Sequence, residues 1–129
     1  MAKILLVDDS STMRSLLKKY LLPAGHEILE AKDGKDGFDK WKNIYENQGR
    51  LDLVITDINM PGMDGLKMCE KIHLELPQFK VPILILSTES SPDLKMKGKQ
   101  VGVIAWMLKP PQPHKVVETI EKILIAIKA

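Results

Sequence analysis

Two adjacent aspartates end the first apolar run of the chain. The run Ile4–Val7 is followed directly by Asp8 and Asp9. Two carboxylates about 4 Å apart repel each other by roughly 4 kcal/mol at an effective dielectric constant of about 20. A buried strand that ends in this pair therefore requires a cation beside it, and the pair predicts a site for a positively charged group.

Polar residues also follow the other strong apolar runs of the sequence. These residues are Asp57, then Ser87 and Thr88, then Lys109. In an open parallel sheet, functional groups gather at the carboxyl ends of the strands, where the strand order reverses. If the first and third strands are neighbours, Asp8, Asp9 and Asp57 converge on one small crevice.

Magnesium is the cation that this donor set favours, because Mg²⁺ prefers oxygen ligands in an octahedron and keeps several waters. Formally, three aspartates are balanced by one Mg²⁺ and the ammonium group of Lys109. A carboxylate neutralised in this way can attack a phosphoryl group, and Asp57 is the candidate nucleophile because it stands alone after its strand. Mg²⁺ and Lys109 would hold the phosphoryl oxygens, with the Ser87 hydroxyl as a further donor.

Phosphorylation of Asp57 would change the charge balance of the crevice. An aspartyl phosphate replaces a charge of −1 by about −2, so that the balance fails by about one unit. A neighbouring group must then move to compensate. The site therefore has the properties of a switch.

Five runs have the length and composition of β-strands. They are Ile4–Val7, Leu53–Thr56, Ile83–Leu86 and Val103–Leu108, and the weaker Glu27–Ala31, which we expect near an edge. Continuous apolar character is typical of parallel strands covered on both faces. Segments with helical spacing separate the runs, so the chain repeats a strand–helix unit five times. This order predicts an α/β fold with a single five-stranded parallel sheet, helices on both faces and right-handed crossovers.

The composition indicates one ordinary globular domain over residues 1–129, with 44% hydrophobic and 28% charged residues. The net charge of +2 is too small to indicate binding to nucleic acid or to an anionic membrane. The single cysteine, Cys69, cannot form an intrachain disulfide, which favours a reducing cytoplasm. No apolar run approaches the ~20 residues of a membrane span. We expect a cytoplasmic monomer without a separate output module.

Four motifs carry a resemblance to a known family. "VDDSSTMR", "DINMPGMDG", "ILSTE" and "AWMLKP" resemble, in this order and spacing, the signatures of the receiver domains of two-component response regulators. The match covers nearly all of residues 1–129 and is similar to freestanding CheY-like chemotaxis receivers. The resemblance implies the flavodoxin-like strand order 2-1-3-4-5.

The resemblance also implies a set of magnesium ligands. Asp9 and Asp57 would bind the ion directly, the backbone carbonyl of Asn59 would add a third protein ligand, and Asp8 would act through a bound water. Asp57 would be the phosphoacceptor.

Further roles follow from the same resemblance. Lys109 would bind the phosphoryl group, Ser87 would supply the hydroxyl that follows it, and Trp106 would change rotamer with it. The Lys109–Pro110 peptide bond would be cis. From the residues alone, Trp106 could equally be a core or edge aromatic, and Thr88 competes with Ser87 for the role of the hydroxyl.

The function that the resemblance implies is that of a single-domain response regulator. A histidine kinase of the chemotaxis type would supply the phosphoryl group, and the fourth helix, last strand and fifth helix would bind a protein target such as the flagellar motor switch. A phosphatase is a further expected partner. The chain would catalyse only its own phosphorylation and dephosphorylation, and is in this sense not an enzyme.

Two other functions remain open at this stage. One is a phosphorelay intermediate, which would pass the phosphoryl group to a histidine phosphotransfer protein. The other is a magnesium-dependent phosphatase with an aspartate nucleophile, which commonly has an acidic residue where Asn59 stands.

Several remaining residues are interpreted as structural. The histidines show no ligand spacing and are expected at the surface; they are His26, His73 and His114. Cys69 is expected to be a buried core thiol. Gly37, in the second helix, is expected to bring only a loss of stability.

Overall fold

The computed structural model describes residues 2–78 and 80–128. The strands are β1 (Lys3–Val7), β2 (Glu27–Ala31), β3 (Leu53–Thr56), β4 (Ile83–Ser87) and β5 (Val103–Leu108). The helices are α1 (Ser11–Leu21), α2 (Gly34–Glu46), α3 (Gly65–Glu75), α4 (Pro92–Gln100) and α5 (Pro113–Lys128). Strands and helices alternate as predicted, and β1 and β4 are each longer by one residue, Lys3 and Ser87.

The five strands form one parallel sheet in the order β2-β1-β3-β4-β5. This arrangement confirms the predicted fold class, strand order and edge position of β2. Val7 pairs with Thr56 across β1 and β3. The residues that follow these two strands, Asp8 and Asp57, therefore leave the sheet side by side.

The central strands β1, β3 and β4 are apolar and buried on both faces, whereas the edge strands β2 and β5 are partly exposed. The expectation that Val103–Leu108 is covered on both faces was therefore wrong, because β5 lies at an edge of the sheet. Leu5 and Val7 contribute to the core beneath α2 and α3, whereas Ile4 and Leu6 contribute to the core beneath α1 and α5. The partly buried Leu94 of α4 packs against the first of these cores. The two cores fix the helices that begin at the carboxyl ends of the strands.

Helix α2 lies unusually close to the sheet at Gly37. A Cβ atom at this position would lie 2.6 Å from Sδ of Met68 and 3.0 Å from both Cγ atoms of Val7. The interpretation that Gly37 brings only a loss of stability was therefore wrong. The absence of a side chain allows α2 to pack against β1 and α3.

The edge strand β5 contains an irregularity. Ile83 pairs with Val103, but the next residue of β4, Leu84, pairs with Ala105. Ile104 is therefore an extra residue on β5, and it is 56% exposed. An insertion of this kind bends an edge strand and increases its twist.

Across residues 2–78 and 80–128, none of the helices combines the length and the apolarity that crossing a membrane requires.

Candidate functional site

Asp8 lies in the turn between β1 and α1, where hydrogen bonds hold its backbone N–H and both of its carboxylate oxygens. Its backbone N–H donates to the carbonyl of Ala31 at 3.1 Å. Its Oδ1 accepts from the N–H of Ser10 at 2.9 Å, and its Oδ2 accepts from Nζ of Lys109 at 2.8 Å. Ser10 in turn caps α1, because its hydroxyl accepts from the N–H of Met13 at 3.2 Å. Asp8 is thus held at the end of β1 with only 2% of its surface exposed.

Asp57 follows the central strand β3 and is also buried. Its N–H donates to the carbonyl of Val7 at 3.0 Å, which continues the pairing with β1. Its Oδ1 accepts from the N–H of Ile58 at 2.7 Å, and its Oδ2 accepts from Nζ of Lys109 at 2.8 Å. These contacts orient the carboxylate toward Asp8 and Lys109.

Helix α3 begins against the backbone of Asp57. The N–H of Gly65 donates to the carbonyl of Ile58 at 3.0 Å, and Asp64 caps the helix by accepting from the N–H of Lys67 at 2.8 Å. A Cβ atom at Gly65 would overlap the carbonyl oxygen of Asp57. Sequence reasoning did not single out Gly65, although the Asp-Gly pair at the end of "DINMPGMDG" marks the start of a helix.

Lys109 joins the two buried aspartates. It follows β5, and its N–H donates to the carbonyl of Ser87 at 3.0 Å. Its ammonium group lies 2.8 Å from a carboxylate oxygen of Asp8 and 2.8 Å from one of Asp57. The Lys109–Pro110 bond is cis, as predicted.

The three predicted aspartates lie close enough to share a cation. One carboxylate oxygen from each of Asp8, Asp9 and Asp57 lies within 4.8 Å of the others. Asp9 is exposed, and its carboxylate accepts no hydrogen bond from the part of the chain that the structure describes. An all-oxygen cluster with one open carboxylate fits a hard cation such as Mg²⁺.

Burial and pairing shift the ionisation of the site in opposite directions. Burial raises the pKa of Asp8, although hydrogen bonds from Lys109 and Ser10 oppose this shift. For Lys109, burial acts to lower the pKa, but the hydrogen bonds to Asp57 and Asp8 outweigh it and the pKa is raised. Lys109 therefore remains charged at neutral pH, and it cannot by itself neutralise three carboxylates.

The remaining predicted residues lie around the same end of the sheet. Ser87 ends β4 and is fully buried, whereas Thr88 is exposed. The Ser87 hydroxyl accepts from the N–H of Glu89 at 3.3 Å, and Nε1 of Trp106 donates to the carbonyl of Glu89 at 2.7 Å. Within the described residues, no hydrogen bond joins the side chains of Ser87 or Trp106 to the three aspartates. Asn59 is exposed in the loop between β3 and α3.

One of the three histidines is not where the sequence analysis placed it. His73 and His114 are exposed as expected, but His26 is only 6% exposed. It lies between α1 and β2, and its Nε2 is 3.1 Å from a carboxylate oxygen of Glu121 on α5. The expectation of a surface position was wrong because α5 covers His26, a contact between residues far apart in the sequence.

The family comparison agrees with this geometry. The model of the response regulator receiver domain matches residues 4–121. A chemotaxis protein CheY homolog of Campylobacter jejuni is 35% identical over 123 residues, which cover 95% of this chain and 92% of the homolog. Protein PilH of Pseudomonas aeruginosa is 32% identical over 124 residues, which cover 96% of this chain and 98% of PilH.

Solved structures give the same answer. The chemotaxis protein CheY4 of Vibrio cholerae superposes with a TM-score of 0.83 at 36% identity, and the match covers 95% of this chain and 98% of CheY4. A CheY-like receiver domain protein from Methanospirillum hungatei superposes with a TM-score of 0.85 at 26% identity, covering 98% and 95% of the two chains. The chain belongs to the response regulator receiver domain family, among relatives and structural neighbours that are CheY-like.

Proposed function

We propose that the chain is a phosphorylation-controlled signalling switch of the chemotaxis type, in which Asp57 accepts a phosphoryl group from a histidine kinase. One observation carries the proposal: the ammonium group of Lys109 lies 2.8 Å from both Asp8 and Asp57, while Asp9 remains open beside them. This arrangement leaves negative charge for a divalent cation and a lysine for phosphoryl oxygens.

The residues present fit a magnesium ion. Asp9 and Asp57 would hold it directly, the backbone carbonyl of Asn59 would complete the protein ligands, and Asp8 would hold it through a water. The bound ion would supply positive charge that offsets the carboxylates and the phosphoryl oxygens. The open position of Asp9 supports its role as a ligand that the ion can reach from solvent.

In the proposed transfer, a carboxylate oxygen of Asp57 forms the new bond to phosphorus. The bond between phosphorus and the histidine nitrogen of the kinase breaks, and that nitrogen keeps the electron pair. Lys109 exchanges its hydrogen bond to Asp57 for one to a phosphoryl oxygen, so that its charge stays beside the growing negative charge. The backbone N–H of Ile58 keeps the carboxylate oriented during the step.

Glu89 connects the phosphorylation site to the proposed output surface. Its N–H donates to the hydroxyl of Ser87, and its carbonyl accepts from the indole of Trp106. If the Ser87 hydroxyl turns toward the phosphoryl group, it releases the N–H of Glu89, and the loop that holds Trp106 can move. The surface of α4, β5 and α5 changes with it and would bind a protein target such as the flagellar motor switch.

We also propose a cytoplasmic location. The one thiol, Cys69, is buried and free in the structure, which is typical of proteins in a reducing compartment.

The test uses acetyl phosphate as phosphoryl donor with Mg²⁺. The wild-type chain should form an acid-stable, hydroxylamine-sensitive phosphoprotein, measured by intact mass. Asp57→Asn should not be phosphorylated at the wild-type rate. A matched control, Asp39→Asn on α2, should behave as wild type because its side chain is exposed and remote from the site. Equal phosphorylation of Asp57→Asn and the wild type would overturn the assignment of Asp57.

A further inference from the structure

Arg14 connects the turn between β1 and α1, which carries Asp8 and Asp9, to the edge strand β2. Its Nη1 donates to the backbone carbonyl of Asp8 at 2.5 Å, and its Nε donates to Oε1 of Glu30 at 3.1 Å. The side chain of Arg14 is only 16% exposed. Arg14 lies in the second turn of α1, and Glu30 lies on the edge strand β2, so the guanidinium joins two elements that border the site.

We propose that Arg14 is a positioning residue for the magnesium site, which acts by fixing the peptide unit between Asp8 and Asp9. This inference rests on the proposed function, since it concerns the same site. The resemblance to the receiver family implied no role for Arg14, and among the described residues its side chain donates no hydrogen bond to the carboxylates of Asp8, Asp9 or Asp57.

Among the described residues, Arg14 alone donates a hydrogen bond to the backbone carbonyl of Asp8. The N–H and both carboxylate oxygens of Asp8 have other partners, namely Ala31, Ser10 and Lys109. Because a peptide unit is planar from one Cα to the next, fixing this carbonyl also fixes the N–H and the Cα atom of Asp9, from which its side chain starts. Among the described residues, no group donates a hydrogen bond to the carboxylate of Asp9. The position of Asp9 therefore depends on the peptide unit that joins it to Asp8.

Glu30 gives the guanidinium a fixed orientation. A guanidinium presents its N–H groups in a rigid planar fork, so that a bond at Nε determines where Nη1 points. Glu30 is held in turn by Lys18, whose Nζ lies 3.0 Å from Oε2, and by Lys40, whose Nζ donates to its backbone carbonyl at 2.6 Å. The carbonyl of Asp8 is therefore positioned from β2 through two ordered side chains.

Charge and position predict opposite changes in metal affinity. If Arg14 acted only as a nearby cation, its neutralisation would remove repulsion and make Mg²⁺ bind more tightly. If Arg14 positions the turn, its loss weakens Mg²⁺ binding even though a positive charge has been removed. The sign of the change therefore separates the two roles.

The experiment measures the Mg²⁺ dissociation constant by isothermal titration calorimetry, without any phosphoryl donor, and the thermal midpoint without metal. Arg14→Gln should weaken Mg²⁺ binding by about tenfold, the lower end of the range seen when a group that orients a metal ligand is removed. Arg14→Lys keeps the charge but replaces the rigid planar fork by an ammonium group on a flexible stem, which does not fix the direction of the bond to Asp8, so it should weaken binding nearly as much. Lys19→Gln removes an exposed cation from the same helix, and among the described residues Lys19 bonds neither Arg14 nor Glu30, so this control should not weaken binding.

A second set of variants tests the role of Glu30 in orienting Arg14. Glu30→Gln leaves Arg14 in place without its charged partner and should weaken Mg²⁺ binding by a smaller factor. The double variant Arg14→Gln/Glu30→Gln should bind Mg²⁺ no more weakly than Arg14→Gln alone, because Glu30 acts through Arg14.

The outcomes distinguish this inference from the function on which it rests. Tighter or unchanged Mg²⁺ binding in Arg14→Gln, or wild-type binding in Arg14→Lys, would overturn the positioning role and leave the metal site intact. A lower thermal midpoint with unchanged Mg²⁺ affinity would show a purely structural role and would also overturn it. Failure of the wild-type chain to bind Mg²⁺ would overturn the metal site, and the positioning role with it.

Discussion

The carboxylate of Asp8 is buried beside that of Asp57, and when no metal ion is bound the single ammonium group of Lys109 does not offset the burial of both. Burial is the main reason that the pKa of Asp8 lies above its usual value of 3.8. A raised pKa in the folded state means that the folded chain binds the proton more tightly than the unfolded chain. The free energy of unfolding therefore falls as the pH rises through this range and stays lower above it.

We accordingly expect Asp8→Asn to stabilise the metal-free protein at pH 7, seen as a higher midpoint in urea. The same variant should bind Mg²⁺ more weakly, because it removes one of the three negative charges. Denaturation in urea at several pH values measures the gain in stability. This gain should disappear at a pH low enough to protonate Asp8 in the wild type, because residue 8 is then neutral in both proteins. A variant less stable than the wild type at pH 7 would show that the bond from Lys109 outweighs the effect of burial.

At the scale of elements, the close approach of α2 to β1 sets a limit on residue 37. Alanine is favoured over glycine inside a helix by about 1 kcal/mol, so propensity alone predicts that Gly37→Ala is stabilising. The contacts of 2.6 Å with Met68 and 3.0 Å with Val7 predict the reverse.

We expect Gly37→Ala to lower the free energy of unfolding by about 1–3 kcal/mol, the usual effect of overpacking a core. Urea denaturation measures this change. Asp39→Ala, on the exposed side of the same helix, is the matched control and should change stability by less than about 0.5 kcal/mol. If Gly37→Ala is more stable than the wild type, the helix moves away from the sheet at little cost.

At the scale of the whole molecule, metal binding and folding stability are linked. A ligand that binds only the folded state at one hundred times its dissociation constant adds about 2.7 kcal/mol to the free energy of unfolding. We expect Mg²⁺ to stabilise the wild-type chain by this amount at that concentration, and to have little effect on Asp9→Asn. Asp39→Asn should respond as the wild type does. Equal stabilisation of Asp9→Asn would exclude Asp9 as a ligand.

Cys69 offers an independent measure of the same linkage. Its thiol is 1% exposed, and burial, with a smaller contribution from the charge of Asp64, raises its pKa to about 12. The folded chain should therefore not react with a disulfide reagent at pH 8, whereas the unfolded chain should react at its single thiol. Any slow reaction of the folded chain should become slower when Mg²⁺ is added. Rapid labelling of the native protein would show that the core beneath α3 opens locally.

The sequence predicted the elements and the convergence of the aspartates because both follow from local patterns. Apolar runs set β1, β3, β4 and β5, and the residues that end parallel strands must meet at one edge of the sheet. The roles of Asp57, Ser87 and Trp106 remain predictions, since geometry alone does not show a reaction. The family could be recognised because its four motifs lie at these strand ends.

Other features could not be predicted because they depend on contacts between distant segments. The burial of His26 requires α5, the role of Gly37 requires the position of Met68, and the bond from Arg14 to Glu30 requires β2 beside α1. Gly65 could be predicted in part. Its place after the capping residue Asp64 is visible in the sequence, but its contact with the backbone of Asp57 is not. Local patterns determine which residues reach the site, and packing determines how closely.

The extra residue at Ile104 has a consequence for how molecules of this protein behave at high concentration. A regular, apolar edge strand offers a row of free amide and carbonyl groups to which a strand of another molecule can add. The irregular register of β5 interrupts this row on one border of the sheet. Removal of Ile104 would restore an even ladder there, and the shortened chain should form intermolecular β-structure and aggregate more readily than the parent.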